Sequence, residues 1–170
     1  MTFPNRIRIQ VITLSDRASR GVYPDLSGPA ISGMVEAFFK AKEIAIEVQN
    51  VILPDDPAQL REQIENGKME GLHVIFTTGG TGLGPRDFTP EVVRPLLDKE
   101  IPGIMEMIRV KHGLNKPAAL VSRSIAGVAG STLIYCLPGS VKAVEEYCLD
   151  ILPTIIHSLR MILGIDDHRS

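Results

Sequence analysis

The sequence lacks most of the features that tie a protein to a special environment. It has only two cysteines, Cys136 and Cys148, each inside an apolar stretch, so buried thiols in a reducing compartment are expected and a disulfide is not. No run approaches the roughly 18 apolar residues of a membrane span. The opening residues hold Pro4 and interspersed arginines where a secretory leader would hold an apolar core. Neither secretion nor membrane insertion is expected, and a cytoplasmic location is. Charge of one sign is also lacking: 18 basic residues stand against 20 acidic ones. The basic residues are scattered, which excludes the electrostatic footprint of a nucleic-acid binder.

Several catalytic signatures are missing too. His73, His112, His157 and His168 show no metal-ligand spacing, and no G-x-S-x-G elbow surrounds Ser140, so zinc and serine-hydrolase chemistry are disfavoured. No Walker pattern with its lysine occurs. Pro85 interrupts the helix that a Rossmann turn would need.

What remains is ordinary for a globular protein, with 44% hydrophobic and 22% charged residues over 170 positions, and one domain is expected. Ile7, Ile9, Val11, Ile12 and Leu14 predict a buried strand that opens into a polar loop, residues 15–27. Ser27 as N-cap with Pro29 behind it predicts a helix whose core face is Ile31, Met34, Val35, Phe38 and Phe39. Residues 44–53 read as a second strand. Asp56-Pro57-Ala58-Gln59 then reads as an acidic cap, a proline at the first helical position and a glutamine at the third.

His73 to Thr77 predicts a third strand, Thr89-Pro90-Glu91 a helix start, and residues 104–110 a short helix. Residues 122–137 carry two β-prone runs separated by Gly127 and Gly130, and a last helix opens at Pro138-Gly139-Ser140, to be kinked or split by Pro153. The tail after Gly164 is expected to fray. Strands alternating with helices predict a three-layer α/β/α sandwich around a mostly parallel sheet.

In such a sheet, ligands collect where strand carboxyl ends meet helix amino ends. Four loops should meet there: Ser15-Asp16-Arg17, Pro54-Asp55-Asp56, residues 77–87, and Leu137-Pro138-Gly139-Ser140. The third, Thr77-Thr78-Gly79-Gly80-Thr81-Gly82-Leu83-Gly84, reads either as a cradle of bare amides for phosphate or as a plain tight turn. Asp87 just beyond it, with Asp55 at a neighbouring strand tip, favours the first reading. Like charges about 4 Å apart cost on the order of 4 kcal/mol at an effective dielectric of 20, a penalty that a divalent cation would turn into attraction. Mg²⁺ anchored by Asp55 and Asp87 is therefore the expectation, against the alternative that Asp55 is only a solvated neighbour of the helix cap. Ser140 reads equally as a cap of the last helix.

At these same loops the chain resembles the MogA-type molybdopterin adenylyltransferases, a family that includes the G domains of gephyrin and its plant counterpart. The residues that carry the resemblance are residues 15–19 (SDRAS), 25–29 (DLSGP), Pro54-Asp55, 78–82 (TGGTG), Pro85-Arg86-Asp87 with Thr89-Pro90-Glu91, Ser122-Arg123-Ser124 with Ala126-Gly127, and Leu137-Pro138-Gly139. The resemblance implies one molybdopterin-binding domain over residues 1–170, assembled as a homotrimer. It implies transfer of AMP from ATP to the terminal phosphate of molybdopterin with Mg²⁺, releasing pyrophosphate. It further implies that Thr78, Gly79, Gly80, Thr81, Gly82, Pro138, Gly139 and Ser140 hold nucleotide and phosphates, and that Asp55 and Asp87 serve metal and catalysis. Ser15, Asp16, Asp25, Ser122 and Arg123 would lie beside molybdopterin. Arg86 or Arg123 would help neutralise phosphate charge, unless they are surface or ion-pair residues. Two departures from the family pattern, Cys136 and Val141, bear on the nucleotide contacts. A MoaB-like role or a non-catalytic molybdopterin-binding module is the alternative function.

Overall fold

The computed structural model describes residues 2–165. Its centre is a six-stranded sheet in the order β2 (Ile46–Leu53), β1 (Ile7–Leu14), β3 (Val74–Thr78), β6 (Thr132–Leu137), β5 (Ala126–Ala129) and β4 (Lys99–Glu100). The first four run parallel, and β5 and β4 are antiparallel to their neighbours. β1, β3 and β6 are buried almost throughout, because helices cover both faces and leave no side to water. β2, at the sheet edge, is only half-buried or exposed along its length.

Period-two alternation sorts the side chains into two cores. Ile7, Ile9 and Val11 of β1 pack with Val74, Phe76, Tyr135 and Leu137 beneath α2 (Ser27–Ala41), α5 (Pro102–Gly113) and α6 (Val141–Ile162). Ile12, Leu14, Ile75, Ile134 and Cys136 point the other way, against Leu60 and Ile64 of α3 (Pro57–Met69) and Val92 and Val93 of α4 (Thr89–Val93). Each fully buried aliphatic side chain contributes about 1.5–3 kcal/mol. The expected three-layer α/β/α architecture is therefore the observed one.

Register places the site. Leu14 lies beside Leu53, Thr13 beside Thr78, and Thr78 beside Leu137, so the four parallel strands end in step. The loops that follow them form one row along the carboxyl edge.

Three local expectations need correction. Ser27 does not cap α2: it lies inside the helix, and Asp25 takes the capping role by accepting from the Gly28 N–H at 3.1 Å and the Ser27 hydroxyl at 3.2 Å. A carboxylate accepts both donors, and its other oxygen also takes the Thr13 hydroxyl, at 2.7 Å. Pro153 does not split α6, which runs unbroken from Val141 to Ile162. Pro153 sits on the exposed face, where water can meet the carbonyl that lacks its donor. The third strand starts one residue later than expected, leaving His73 outside it. Asp56 caps α3 as anticipated, its carboxylate accepting from the Ala58 and Gln59 amides and held below the usual range, first by the Gln59 N–H. The tail expected to fray falls, with His168, mostly on residues 166–170, which lie outside the described residues.

Candidate functional site

The glycine loop leaves β3 in a conformation that side chains do not tolerate. Gly79 has φ 105°, and a Cβ there would stand 2.6 Å from the Leu14 carbonyl oxygen of the adjacent strand. The turn is fastened on all sides. The Gly79 N–H donates to the Leu137 carbonyl, the Thr89 hydroxyl donates to the Gly79 carbonyl at 2.8 Å, and the Thr89 N–H donates to the Gly80 carbonyl. The Thr78 hydroxyl, fully buried, donates to the Pro138 carbonyl at 2.9 Å. Thr78 thus ties the glycine loop to the Pro138-Gly139-Ser140 loop, and its hydroxyl is occupied there. Ser140 caps α6 by accepting from the Ala143 N–H at 3.3 Å, which aims that helix's amino end at the same place.

The loops after β1 and β2 are joined by their acids. The Asp55 N–H donates to Asp16 Oδ1 at 3.1 Å, and the Asp16 N–H donates back to Asp55 Oδ2 at 3.3 Å. Arg86, from the glycine loop, ion-pairs with Asp16 through one nitrogen and donates to the Asp55 carbonyl through another. Arg86 holds the Asp16 carboxyl below its ordinary pKa, with the Asp55 amide adding to the effect, and Asp16 in turn raises Arg86. Asp87 folds back on its own loop, its Oδ2 accepting from the Gly84 N–H at 2.7 Å. Ser15 opens the four-residue helix α1 (Asp16–Ser19), accepting from the Ala18 N–H, and meets the Tyr23 hydroxyl at 3.1 Å.

Three adjoining clefts result. The first, about 440 Å³, is lined by Gly79 to Gly82, Asp87, Ser122, Pro138, Gly139 and Ser140, with Ala118, Ala119, Val121 and Tyr147 as an apolar wall. The second, about 360 Å³, brings together Ser15, Asp16, Asp55, Gly80, Arg86 and Asp87. The third, about 310 Å³, holds Ser15, Tyr23, Asp25, Thr78, Gly139 and Ser140. Gly80 and Asp87 border the first two, and Gly139 and Ser140 border the first and third. The sequence-derived residues therefore gather around three clefts that share lining residues, with one exception. Arg123 turns away under the glycine loop, donating to the carbonyls of Gly82 at 2.7 Å and Asp87 at 2.6 Å and pairing with Glu91.

Arg86 and Arg123 are thus both ion-pair partners, the alternative left open for them by the sequence. Cys136 has no bearing on the clefts: it faces the α3–α4 core, fully buried, its thiol pushed up to about 12 by that burial. Val141 lines the third cleft. Sequence reasoning missed the far wall of the first cleft, where His112 at the end of α5 and Lys116 just beyond it join Glu146 and Tyr147 of α6. His112 lies 3.3 Å from Asp150 and 3.6 Å from Glu146. No motif marks these residues, and only the docking of α5 on α6 brings them together.

Among the described residues no three His, Cys, Asp or Glu side chains gather to hold a metal unaided. Asp55 and Asp87 on one cleft instead make a pair of hard oxygen donors. That suits Mg²⁺, which commonly takes one or two carboxylates and completes its octahedron with water and substrate phosphate. The residues present fit the ion on that condition.

Comparison with known proteins agrees with this geometry. The family described as "Probable molybdopterin binding domain" matches residues 10–157. A molybdopterin adenylyltransferase of Helicobacter pylori (strain J99) is 35% identical over 163 residues, covering 93% of this chain and 89% of that protein. Gephyrin of Dictyostelium discoideum is 39% identical over 91% of this chain, which spans only 22% of gephyrin's length. Among solved structures, the molybdopterin biosynthesis enzyme MoaB from Thermus thermophilus superposes with a TM-score of 0.82 at 38% identity, covering 93% of this chain and 97% of that one. A MogA structure gives 0.81 at 35%, covering 91% and 99%. The matched span holds the glycine loop, all three clefts and most of both cores, and on it this chain belongs to the molybdopterin-binding domain family shared by MogA and MoaB.

Proposed function

We propose that this chain is a molybdopterin adenylyltransferase of molybdenum cofactor biosynthesis, transferring AMP from ATP to the terminal phosphate of molybdopterin. One observation carries the reading: Asp55 and Asp87 border the same cleft as Gly80, directly beside the cleft formed by the glycine and Pro138-Gly139 loops. Two acids beside a phosphate cradle would repel substrate unless a cation joins them.

In the reaction a phosphate oxygen of molybdopterin forms a bond to the α-phosphorus of ATP. The bond from that phosphorus to its bridging oxygen breaks, and the electron pair leaves with pyrophosphate. The attacking oxygen is already anionic, so no side chain need remove a proton. Gly80 to Gly82 offer backbone amides to phosphate oxygens, α6 presents its amino end, and the apolar wall of Ala118, Ala119 and Val121 takes a flat ring and excludes water. Asp55 and Asp87 would hold Mg²⁺, which supplies charge neutralisation at the phosphates when bound. Ser15, Asp25 and Ser122 border the clefts where the second substrate would lie. Two buried free thiols suit a reducing compartment and support a cytoplasmic location. The family resemblance supports a homotrimer.

Purified protein incubated with molybdopterin, ATP and Mg²⁺ should release pyrophosphate and form adenylylated molybdopterin. The near-equal fit to MoaB and MogA structures favours one second reading, a MoaB-like role. Tight pterin binding without pyrophosphate would replace the first reading with that one or with a binding module.

A further inference from the structure

Asp16 and Arg86 hold an arrangement that needs neither of them to touch substrate. Asp16 exchanges hydrogen bonds with Asp55 through both backbones, at 3.1 and 3.3 Å, so the two loops are locked in one relative position. Its second oxygen pairs with Arg86, which also grips the Asp55 carbonyl. Arg86 sits one residue before Asp87, so this contact fixes where the glycine loop presents its acid. We infer that Asp16 and Arg86 are a positioning pair. Asp16 sets the Asp55 carboxylate, Arg86 draws Asp87 to it, and the charges of the pair cancel so that Asp55 and Asp87 alone set the field on a bound divalent cation.

The inference rests on the proposed role of Asp55 and Asp87, and it carries its own sign. Removing the arginine leaves Asp16 as a third uncompensated carboxylate on the cleft, which attracts a cation more strongly. Removing the aspartate's charge leaves the arginine, which repels it. Asp16→Asn keeps an Oδ1 acceptor for the Asp55 N–H, so it alters charge and spares the bond. Asp16→Ala loses both.

The test measures Mn²⁺ binding to the full chain by electron paramagnetic resonance at saturating α,β-methylene-ATP, a probe that cannot be cleaved between the α and β phosphorus. Arg86→Gln leaves the Asp16–Asp55 bonds and the Gly84 N–H bond to Asp87 in place, so the charge change dominates. It should bind Mn²⁺ about three- to tenfold more tightly than wild type, with Asp16→Asn weaker by a similar factor and the double variant returning towards wild type. In turnover assays the deficit of Asp16→Asn should close as Mg²⁺ is raised, whereas that of Asp16→Ala should persist, because Asp55 has lost its anchor. Thermal melts of each variant separate these effects from unfolding. Shifts of the same sign in both single variants, or no shift in either, overturn the pair. Absence of pyrophosphate from wild type overturns the proposed reaction instead, and the Mn²⁺ measurement does not depend on it.

Discussion

The two ends of the parallel sheet obey the same rules of satisfaction and reach opposite results. At the amino end the polar groups are consumed by the fold. The Arg8 N–H donates to His73 Nδ1 at 2.9 Å, the His73 N–H returns to the Arg8 carbonyl, and the buried Thr132 hydroxyl donates to the Leu72 carbonyl at 2.7 Å. At the carboxyl end the hydroxyls of Thr78 and Thr89 likewise close the turns, but Asp16, Asp55 and Asp87 are left bordering a cleft. The difference lies in the connections. A strand of a right-handed β-α unit delivers its loop and the next helix's free N–H groups to the carboxyl end, so anions and their attendant acids collect there.

The comparison breaks first, and most visibly, if the acids are not functional. Asp55→Asn and Asp87→Asn keep an amide oxygen for the Asp16 and Gly84 N–H donors while removing a charge. Each should lower pyrophosphate release by about a hundredfold or more with little change in the melting temperature. A variant with near-normal turnover would remove its residue from the mechanism.

Glycines sharpen the contrast next. Gly79 and Gly71 both have positive φ, but a Cβ at Gly79 meets the Leu14 carbonyl at 2.6 Å, whereas one at Gly71 meets nothing within 4 Å. Gly79→Ala should therefore cost about 3 kcal/mol in urea unfolding and disorder the cleft, and Gly71→Ala about 1 kcal/mol with activity retained. Equal costs would mean that the close approach of glycine loop and β1 is unimportant. Smaller again, Thr132→Val should cost about 1–2 kcal/mol by orphaning the Leu72 carbonyl, and leave the rate per folded molecule unchanged. A rate loss there would show that the amino end is not merely structural.

The elements were legible in the sequence because their signals are local: alternation in β1, the Asp56-Pro57 cap, the glycines after β3. The site was legible as a set of loops for the same reason. Its wiring was not. Asp16 and Asp55 are distant in sequence, and their exchange of hydrogen bonds follows only from the Leu14–Leu53 register. Arg123 read as a substrate neighbour because nothing local shows that Glu91 and two carbonyls take its guanidinium. Ser27 was misread because serine before a proline-led helix is a good cap, and a carboxylate two residues earlier is a better one here.

The smallest effect separates the two ends by pH. Burial first, and the Arg8 charge second, hold the His73 imidazole below its ordinary 6.5. Its Nδ1 accepts the Arg8 N–H, so the folded state requires the neutral ring. Above pH 6.5 neither folded nor unfolded chain protonates it, and its contribution to stability is complete. As pH falls below 6.5 the unfolded chain takes up a proton that the folded one resists, and that contribution is lost through the folded value. His73→Gln retains an acceptor oxygen and cannot titrate, so urea midpoints compared at about pH 7.5 and about pH 5.5 should fall further in wild type than in the variant. Identical falls would mean that the ring is free of the strand. The carboxyls with lowered values, Asp16 and Asp56, start from 3.8, below this window, so they do not mimic the effect. Turnover per folded molecule should be the same in both proteins, because this proton is taken up at the end of the sheet away from the clefts.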